Sequence, residues 1–254
     1  MNYFKQDLLN AKAERTEFLL ENLLPLPIGK VSILSASGSV GKTSLALKCA
    51  LDLATNEDVQ ILMHLSEDSM GEIKLRADEI MKTMNNKPYL SKIKINDDSV
   101  IIDKTLFTQE RMEELKEYFK EYKLVVLDPL VAFINFNEND NKEAKEFVSI
   151  LTHIAQENNQ AILFLHHHRK KSNDDEEAIM RGASAFAHAI RVHYSLSYDK
   201  NKNKHIIKIE KDNLNAKYFL GGVEEKEIQI FPTKEKEATQ RKPIKGIKWK
   251  TETI

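Results

Sequence analysis

Ala36-Ser37-Gly38-Ser39-Val40-Gly41-Lys42-Thr43 separates a short β-branched run, residues 31–34, from an apolar helical stretch, residues 44–51. This order predicts a strand, a loop and a helix. A glycine-bearing loop that closes on a helix N-terminus offers backbone N–H groups and the positive end of the helix dipole to a phosphate. In such a loop Lys42 would reach the β- and γ-phosphates, and the Thr43 hydroxyl would bind Mg²⁺. The stretch therefore predicts a site for a nucleoside triphosphate and Mg²⁺.

The loop departs at one position from the phosphate-loop pattern G-x-x-x-x-G-K-[ST], because Ala36 stands where the pattern has glycine. Alanine does not adopt a positive φ at low cost, so we expect Ala36 to have a negative φ. A chance Gly-Lys-Thr in a turn is the alternative, and the strand and helix in register on either side argue against it. The residues predicted to bind the nucleotide here are Gly38, Ser39, Val40, Gly41, Lys42, Thr43 and Ser44.

Composition favours one globular domain. The chain has 254 residues, of which 41% are hydrophobic and 30% charged, an ordinary composition for a soluble protein with a core. The net charge is -1, so local basic patches rather than the overall field would have to meet a polyanion. Cys49 is the only cysteine, which excludes a disulfide framework and fits a reducing compartment. Without a signal sequence or a long apolar run, we expect a cytoplasmic protein with no membrane segment.

The hydrophobic pattern alternates between strands and helices over most of the chain. Such alternation predicts an α/β fold whose central, mostly parallel, twisted sheet is flanked by helices. Later apolar runs follow one another closely, which predicts antiparallel strands added at the C-terminal edge. The domain is expected to cover residues 1–232, with an amphipathic helix at about 7–23, and residues 233–254 form a basic, flexible tail. The predicted strands are residues 31–34, 59–65, 93–95, 124–127, 161–165, 193–198, 206–209, 218–220 and 228–231, and the main helices are residues 44–55, 70–84, 143–156 and one that begins at Thr108.

Glu67, Asp128 and His167 follow apolar strands. Ligands of open α/β sheets collect beyond the carboxyl ends of the strands, so these side chains are expected to converge on the phosphate loop. Asp128 fits a carboxylate that holds Mg²⁺, although it could simply begin a turn before Pro129. Glu67 fits the base that orients and deprotonates the attacking water, although it could instead cap the helix that begins near Ser69.

Three consecutive histidines, residues 166–168, suggest a metal site. Alternate residues of a strand face opposite sides, so three adjacent imidazoles cannot converge on one ion without a sharp bend. A sensor of the γ-phosphate is therefore the preferred interpretation, and a metal site is the alternative.

Taken together, these motifs resemble the RecA-like ATPases of the RepA-type plasmid replicative helicases. The resemblance extends from about residue 20 to 213 and implies a RecA-like P-loop fold. It also implies a homohexameric ring that hydrolyses ATP with Mg²⁺ and translocates on single-stranded DNA during plasmid, phage or mobile-element replication. The stretches that carry it are residues 36–43, Leu65-Ser66-Glu67-Asp68, Leu127-Asp128-Pro129-Leu130, Asn137-Glu138-Asn139-Asp140-Asn141, residues 165–170 and Arg181-Gly182-Ala183-Ser184.

Carried over by position, the resemblance assigns catalysis to Lys42, Glu67 as base and His167 as sensor. Thr43 and Asp128 would hold Mg²⁺, and Asp128 would also contribute to the nucleotide site. The acidic segment with Glu138 and Asp140 would support the metal site. The residues implied to contact DNA are Arg169, Lys170, Lys171 and Arg181, which lie in a loop that could otherwise be a solvated surface turn.

The implied ring needs a residue from the neighbouring subunit. The related helicases place Lys-x-Arg or Lys-x-Asn at the end of a late strand, and this chain has Lys211-Asp212-Asn213. Lys211 is therefore implied to reach the neighbour's nucleotide. No arginine finger is evident, and Arg191 and Lys217 are possible substitutes. No primase-binding or origin-binding domain is recognisable, so a replication initiator or loader is a possible further partner.

Two other functions remain open. A recombinase or a KaiC-like regulatory ATPase would share the fold without unwinding DNA. A binding module that uses ATP as an assembly switch would hydrolyse it poorly. Glu67 separates hydrolysis from switching, and stimulation by single-stranded DNA separates a DNA motor from a regulator.

Overall fold

The computed structural model describes residues 15–97, 108–138, 140–167 and 184–232. Within them lies an eight-stranded sheet with the strand order β10-β9-β8-β3-β7-β6-β4-β5. A separate two-stranded ribbon pairs β1 with β2. The strands are β1 (Phe18–Leu19), β2 (Leu26–Pro27), β3 (Lys30–Ala36), β4 (Gln60–Leu65), β5 (Ile93–Asn96), β6 (Tyr122–Asp128), β7 (Ala161–His167), β8 (Val192–Asp199), β9 (Lys204–Asp212) and β10 (Glu225–Ile228).

The sheet is parallel from β8 to β5 and antiparallel at its other edge, where β9 pairs with β8 and β10 pairs with β9. The fold-class prediction is confirmed. Strands β3, β6 and β7 read as continuous apolar runs because helices cover both of their faces. Their carboxyl ends all lie at one edge of the sheet, which is where the predicted site residues follow.

Helices cover the two faces of the sheet in two layers. Helices α1 and α2 share one buried apolar cluster with the ribbon, and α3, α4 and α5 share a second cluster on the opposite face. Cys49 is fully buried in α1, and burial raises the pKa of its thiol. The helices are α1 (Lys42–Asn56), α2 (Met70–Met81), α3 (Gln109–Phe119), α4 (Asn141–Glu157) and α5 (Ser184–Ala189).

The predicted N-terminal helix is wrong for the described part of its range. From residue 15 the chain instead forms β1, a turn in which Leu20 has a φ of 56°, and β2. Apolar spacing alone suggested a helix, but Leu19, Leu24 and Leu26 are buried by pairing and turning rather than on one helical face. Tertiary packing outweighs periodicity here. Residues 7–14 lie outside the described residues.

The strand predicted at residues 218–220 is also wrong, because Ala216–Leu220 is a 3₁₀ helix. The Asp212 carboxylate accepts hydrogen bonds from the backbone N–H groups of Leu214, Ala216 and Lys217, which closes the chain into a turn before a strand can form. The last strand is Glu225–Ile228 rather than 228–231. An aspartate that organises its own backbone in this way favours turns over strands.

No helix among the described residues is long and apolar enough to span a membrane. The predicted basic tail, residues 233–254, lies outside the described residues, so its flexibility stays a prediction.

Candidate nucleotide site

The phosphate loop joins β3 to α1, which begins at Lys42. Gly41 precedes the helix with a φ of 104°, a conformation that only glycine adopts without strain. Ser39 also has a positive φ, of 63°. Ala36 is not in this left-handed region and is the buried last residue of β3, so the expectation for this position is confirmed. The chain thus needs glycine at position 41 but not at position 36.

Lys42 lies at the centre of the site and is buried. Its ammonium donates to the carbonyl oxygen of Ala36 over 3.3 Å and contacts His167 Nδ1 at 3.1 Å. Burial lowers the pKa of Lys42, and the carboxylates of Asp128 and Glu67 oppose this shift. A polyphosphate would supply the negative charge that favours the ammonium.

Thr43 and Asp128 form the second contact of the site. The Thr43 hydroxyl donates to Asp128 Oδ2 over 2.5 Å. Burial raises the pKa of Asp128, while the Thr43 hydrogen bond and the charge of Lys42 act in the opposite direction. A divalent cation would favour the ionised carboxylate in the same way.

The oxygen donors present fit Mg²⁺. One hydroxyl and one carboxylate suit a cation that keeps several waters and takes its remaining ligands from substrate phosphates. The described residues hold no cluster of three or more His, Cys, Asp or Glu side chains suited to a metal ion, and a Mg²⁺ bound together with ATP does not need one. Thr43 and Asp128 would hold this ion and bring its charge to the β- and γ-phosphates.

Glu67 is exposed and lies just beyond β4, where the attacking water would stand. Its Oε2 is 3.6 Å from His167 Nε2, and 60% of its side chain is accessible. The capping alternative is not what the structure shows, since α2 is capped reciprocally by Ser69 and Glu72. Its neighbour Asp68 is held by Arg76 over 2.6 Å. Glu67 therefore has the access to water that a general base requires.

His167 connects Lys42 to Glu67. An ammonium can only donate, so Nδ1 of His167 accepts from Lys42, and the proton of a neutral imidazole then lies on Nε2, facing Glu67. His166 is buried and His167 is exposed, as expected for alternating residues of a strand. His168 lies outside the described residues. A change at the γ-phosphate would move Lys42 and His167 together.

The other predicted residues fall into two groups. Arg169, Lys170, Lys171 and Arg181 lie outside the described residues. Lys211 is described and lies at the end of β9, at the opposite end of the sheet from the phosphate loop of its own chain, where its ammonium donates to the carbonyl oxygens of Ala187 and His188. Burial and the nearby charge of Arg191 lower the pKa of Lys211. Its predicted contact with a neighbour's nucleotide stays a prediction.

The acidic segment after β6 has a local role in the structure. Asp140 caps α4 by accepting from the backbone N–H groups of Lys142 and Glu143. Glu138 is described and Asn139 is not. Support of the metal site by these residues stays a prediction.

One residue of the site has no signal in the sequence. His205, at the start of β9, donates from Nε2 to the carbonyl oxygen of Val40 over 3.0 Å. A Cβ at Gly41 would lie 3.3 Å from the same nitrogen. His205 is 165 residues away in sequence from Val40, and only the pairing of β9 and β8 beside β3 brings it to the loop.

Comparison with known families agrees with this geometry. A family model described as an AAA domain matches residues 4–173, more than half of the chain. The chain belongs to this AAA domain family. No curated protein matches it significantly. Among solved structures, the ATPase domain of a replicative helicase is similar with a TM-score of 0.49 and 14% identity, over 72% of this chain and 77% of that chain. The AAA domain of this protein is a nucleotide-binding P-loop ATPase domain that contains the contacts of Lys42, Thr43, Asp128 and His167.

Proposed function

We propose that this AAA domain protein is an ATP-dependent DNA helicase of the RepA type. It hydrolyses ATP with Mg²⁺ and couples hydrolysis to movement along single-stranded DNA as a homohexameric ring. The observation that carries the proposal is the contact series from Lys42 through His167 to Glu67. It joins a phosphate-binding cation, a sensor and a base at the ends of three strands.

The position of His167 supports coupling to DNA. It is the last described residue before residues 168–183, which include the four basic residues implied to contact DNA. Because His167 contacts both Lys42 and Glu67, a strand bound just after β7 would act directly on the hydrolytic residues. A residue that is shared between two sites can couple their ligands, provided that both ligands change its position.

The experiment compares ATP hydrolysis, nucleotide binding and unwinding of a forked duplex in the full chain. Glu67→Gln should lower the hydrolysis rate about 10²- to 10⁴-fold, because the base is lost, while ATP binding is retained. The matched control is Glu79→Gln, a change at an exposed glutamate of α2 that pairs with Lys82, and it should hydrolyse ATP at the wild-type rate. Lys42→Ala is the control for unwinding.

Three results would contradict parts of the proposal. Unchanged hydrolysis in Glu67→Gln would remove the base assignment. An ATPase rate indifferent to saturating single-stranded DNA at low salt, together with no unwinding, would leave a regulatory ATPase or a switch. Specific activity that stays constant down to monomeric dilution would contradict a site completed by the neighbouring subunit.

A further inference from the structure

A second cavity of about 670 Å³ lies beside the phosphate loop, at the antiparallel edge of the sheet. Its aromatic walls come from Tyr198 and His205 on the β8–β9 hairpin and from Phe231 after β10. This volume is in the range of small-molecule sites. None of these residues belongs to the phosphate-loop motif.

The cavity touches the phosphate loop through two of its wall residues. His205 donates to the carbonyl oxygen of Val40, and Ile230 Cδ1 lies 4.0 Å from where a Cβ at Gly41 would stand. In a nucleoside triphosphate only the ribose separates the base from the phosphates. A ligand whose phosphates occupy residues 38–43 therefore has its base within reach of this cavity.

The walls suit the face of a nucleobase. The ring centroids of Tyr198 and His205 are 4.9 Å apart, with an interplanar angle of 54°. Tyr198 is 40% exposed, so part of its ring is open to a ligand. Burial lowers the pKa of His205, which favours the neutral imidazole. Stacking on an aromatic side chain contributes about 5-fold or more in affinity per base and tolerates every base, since each has a π face.

The polar side chains around the cavity bond to one another. The Tyr198 hydroxyl donates to Asn203 Oδ1, and Gln229 Nε2 donates to the carbonyl oxygen of Phe231. Lys202 and Lys204 both pair with Glu227. Strong discrimination between similar ligands needs side chains that hydrogen-bond their distinguishing groups. Here those side chains are already engaged, so recognition rests on the faces of the rings.

We propose that this cavity holds the base of the triphosphate bound at residues 38–43, by stacking on Tyr198 and His205, and that it accepts adenine and guanine nearly equally. The inference rests on the proposed function for nucleotide binding alone, not for DNA. It adds a base specificity to that site, which is a purine nucleotide site with weak discrimination between ATP and GTP.

The test measures equilibrium binding of ATP, GTP and inorganic tripolyphosphate, each with Mg²⁺, to the full chain. Tripolyphosphate carries the phosphates without a base. Tyr198→Ala should weaken ATP and GTP about 5-fold or more and leave tripolyphosphate unchanged, whereas Tyr198→Phe keeps the ring and should bind all three as the wild type does. The matched control is Tyr89→Ala, a change at an exposed tyrosine outside the cavity. Wild-type affinities for ATP and GTP should agree within about 10-fold.

Each contrary result has a separate meaning. Unchanged ATP affinity in Tyr198→Ala, or an equal loss for tripolyphosphate, would overturn the base pocket while leaving the phosphate site intact. A preference above about 100-fold for one purine would overturn the tolerance. If neither ATP nor tripolyphosphate bound the wild type, the proposed function itself would fail. Melting curves of each variant show that it is folded.

Discussion

The nucleotide site has two halves that are built differently. The phosphate half consists of residues 36–44 with Glu67, Asp128 and His167, all at the carboxyl ends of parallel strands. The edge half consists of Tyr198, His205, Ile230 and Phe231, from the antiparallel β8–β9 hairpin and the segment after β10. Chemistry fixes the residue types of the first half, since phosphate, Mg²⁺ and water each require particular groups. The second half needs only apolar rings in the right place, which many sequences supply.

The largest effect should come from breaking the phosphate half at Lys42. Lys42→Ala removes an ammonium that would make several charge-assisted hydrogen bonds to phosphate, each worth roughly 1.5–3 kcal/mol. We expect affinity for ATP and for tripolyphosphate to fall together by about 100-fold or more, measured by calorimetry. A loss restricted to ATP would place Lys42 in the edge half instead.

A smaller effect should come from Gly41, where the two halves meet. Gly41→Ala forces alanine into a φ of 104° and places its Cβ 3.3 Å from His205 Nε2. Such strain costs roughly 1–3 kcal/mol, so we expect the melting temperature to fall by several degrees and the affinity for ATP to weaken. The control Gly71→Ala, in α2, meets no atom within 4 Å. It should melt at or above the wild-type temperature. Equal effects of the two substitutions would argue against a strained junction.

The smallest effect concerns only the edge half. Lys204 and Lys202 hold the pKa of Glu227 at about 2, below its usual 4.5. A depressed carboxyl pKa stabilises the fold above the unfolded value, and this contribution is lost as pH falls through the folded value. Glu227→Gln should therefore melt about 2 °C or less below the wild type at pH 7, with the difference shrinking between pH 4.5 and 2. Glu225→Gln, at a β10 residue without an ion pair among the described residues, is the control. A pH-independent difference would assign the effect to packing.

The same contrast explains what the sequence could predict. The parallel strands, their order of appearance and the contacts of Lys42, Thr43, Asp128 and His167 follow from apolar runs that end in chemically distinctive residues. The turn after Asp212 and the ribbon at residues 18–27 could not be predicted from periodicity, because a carboxylate bound to three backbone N–H groups and a pairing of two short strands leave no periodic pattern. His205 was missed because its role depends on the packing of strands distant in sequence from the loop.

The burial of Cys49 makes the chain convenient for single-site labelling. It is the only thiol in the sequence, it is fully buried within α1, and its raised pKa keeps it protonated at the pH of ordinary maleimide reactions. Thiolate is the reactive form. A cysteine introduced at the exposed position of Tyr89 or Tyr218 would therefore take a fluorophore alone, without removal of the native residue. Modification of Cys49 itself would report unfolding around the phosphate loop.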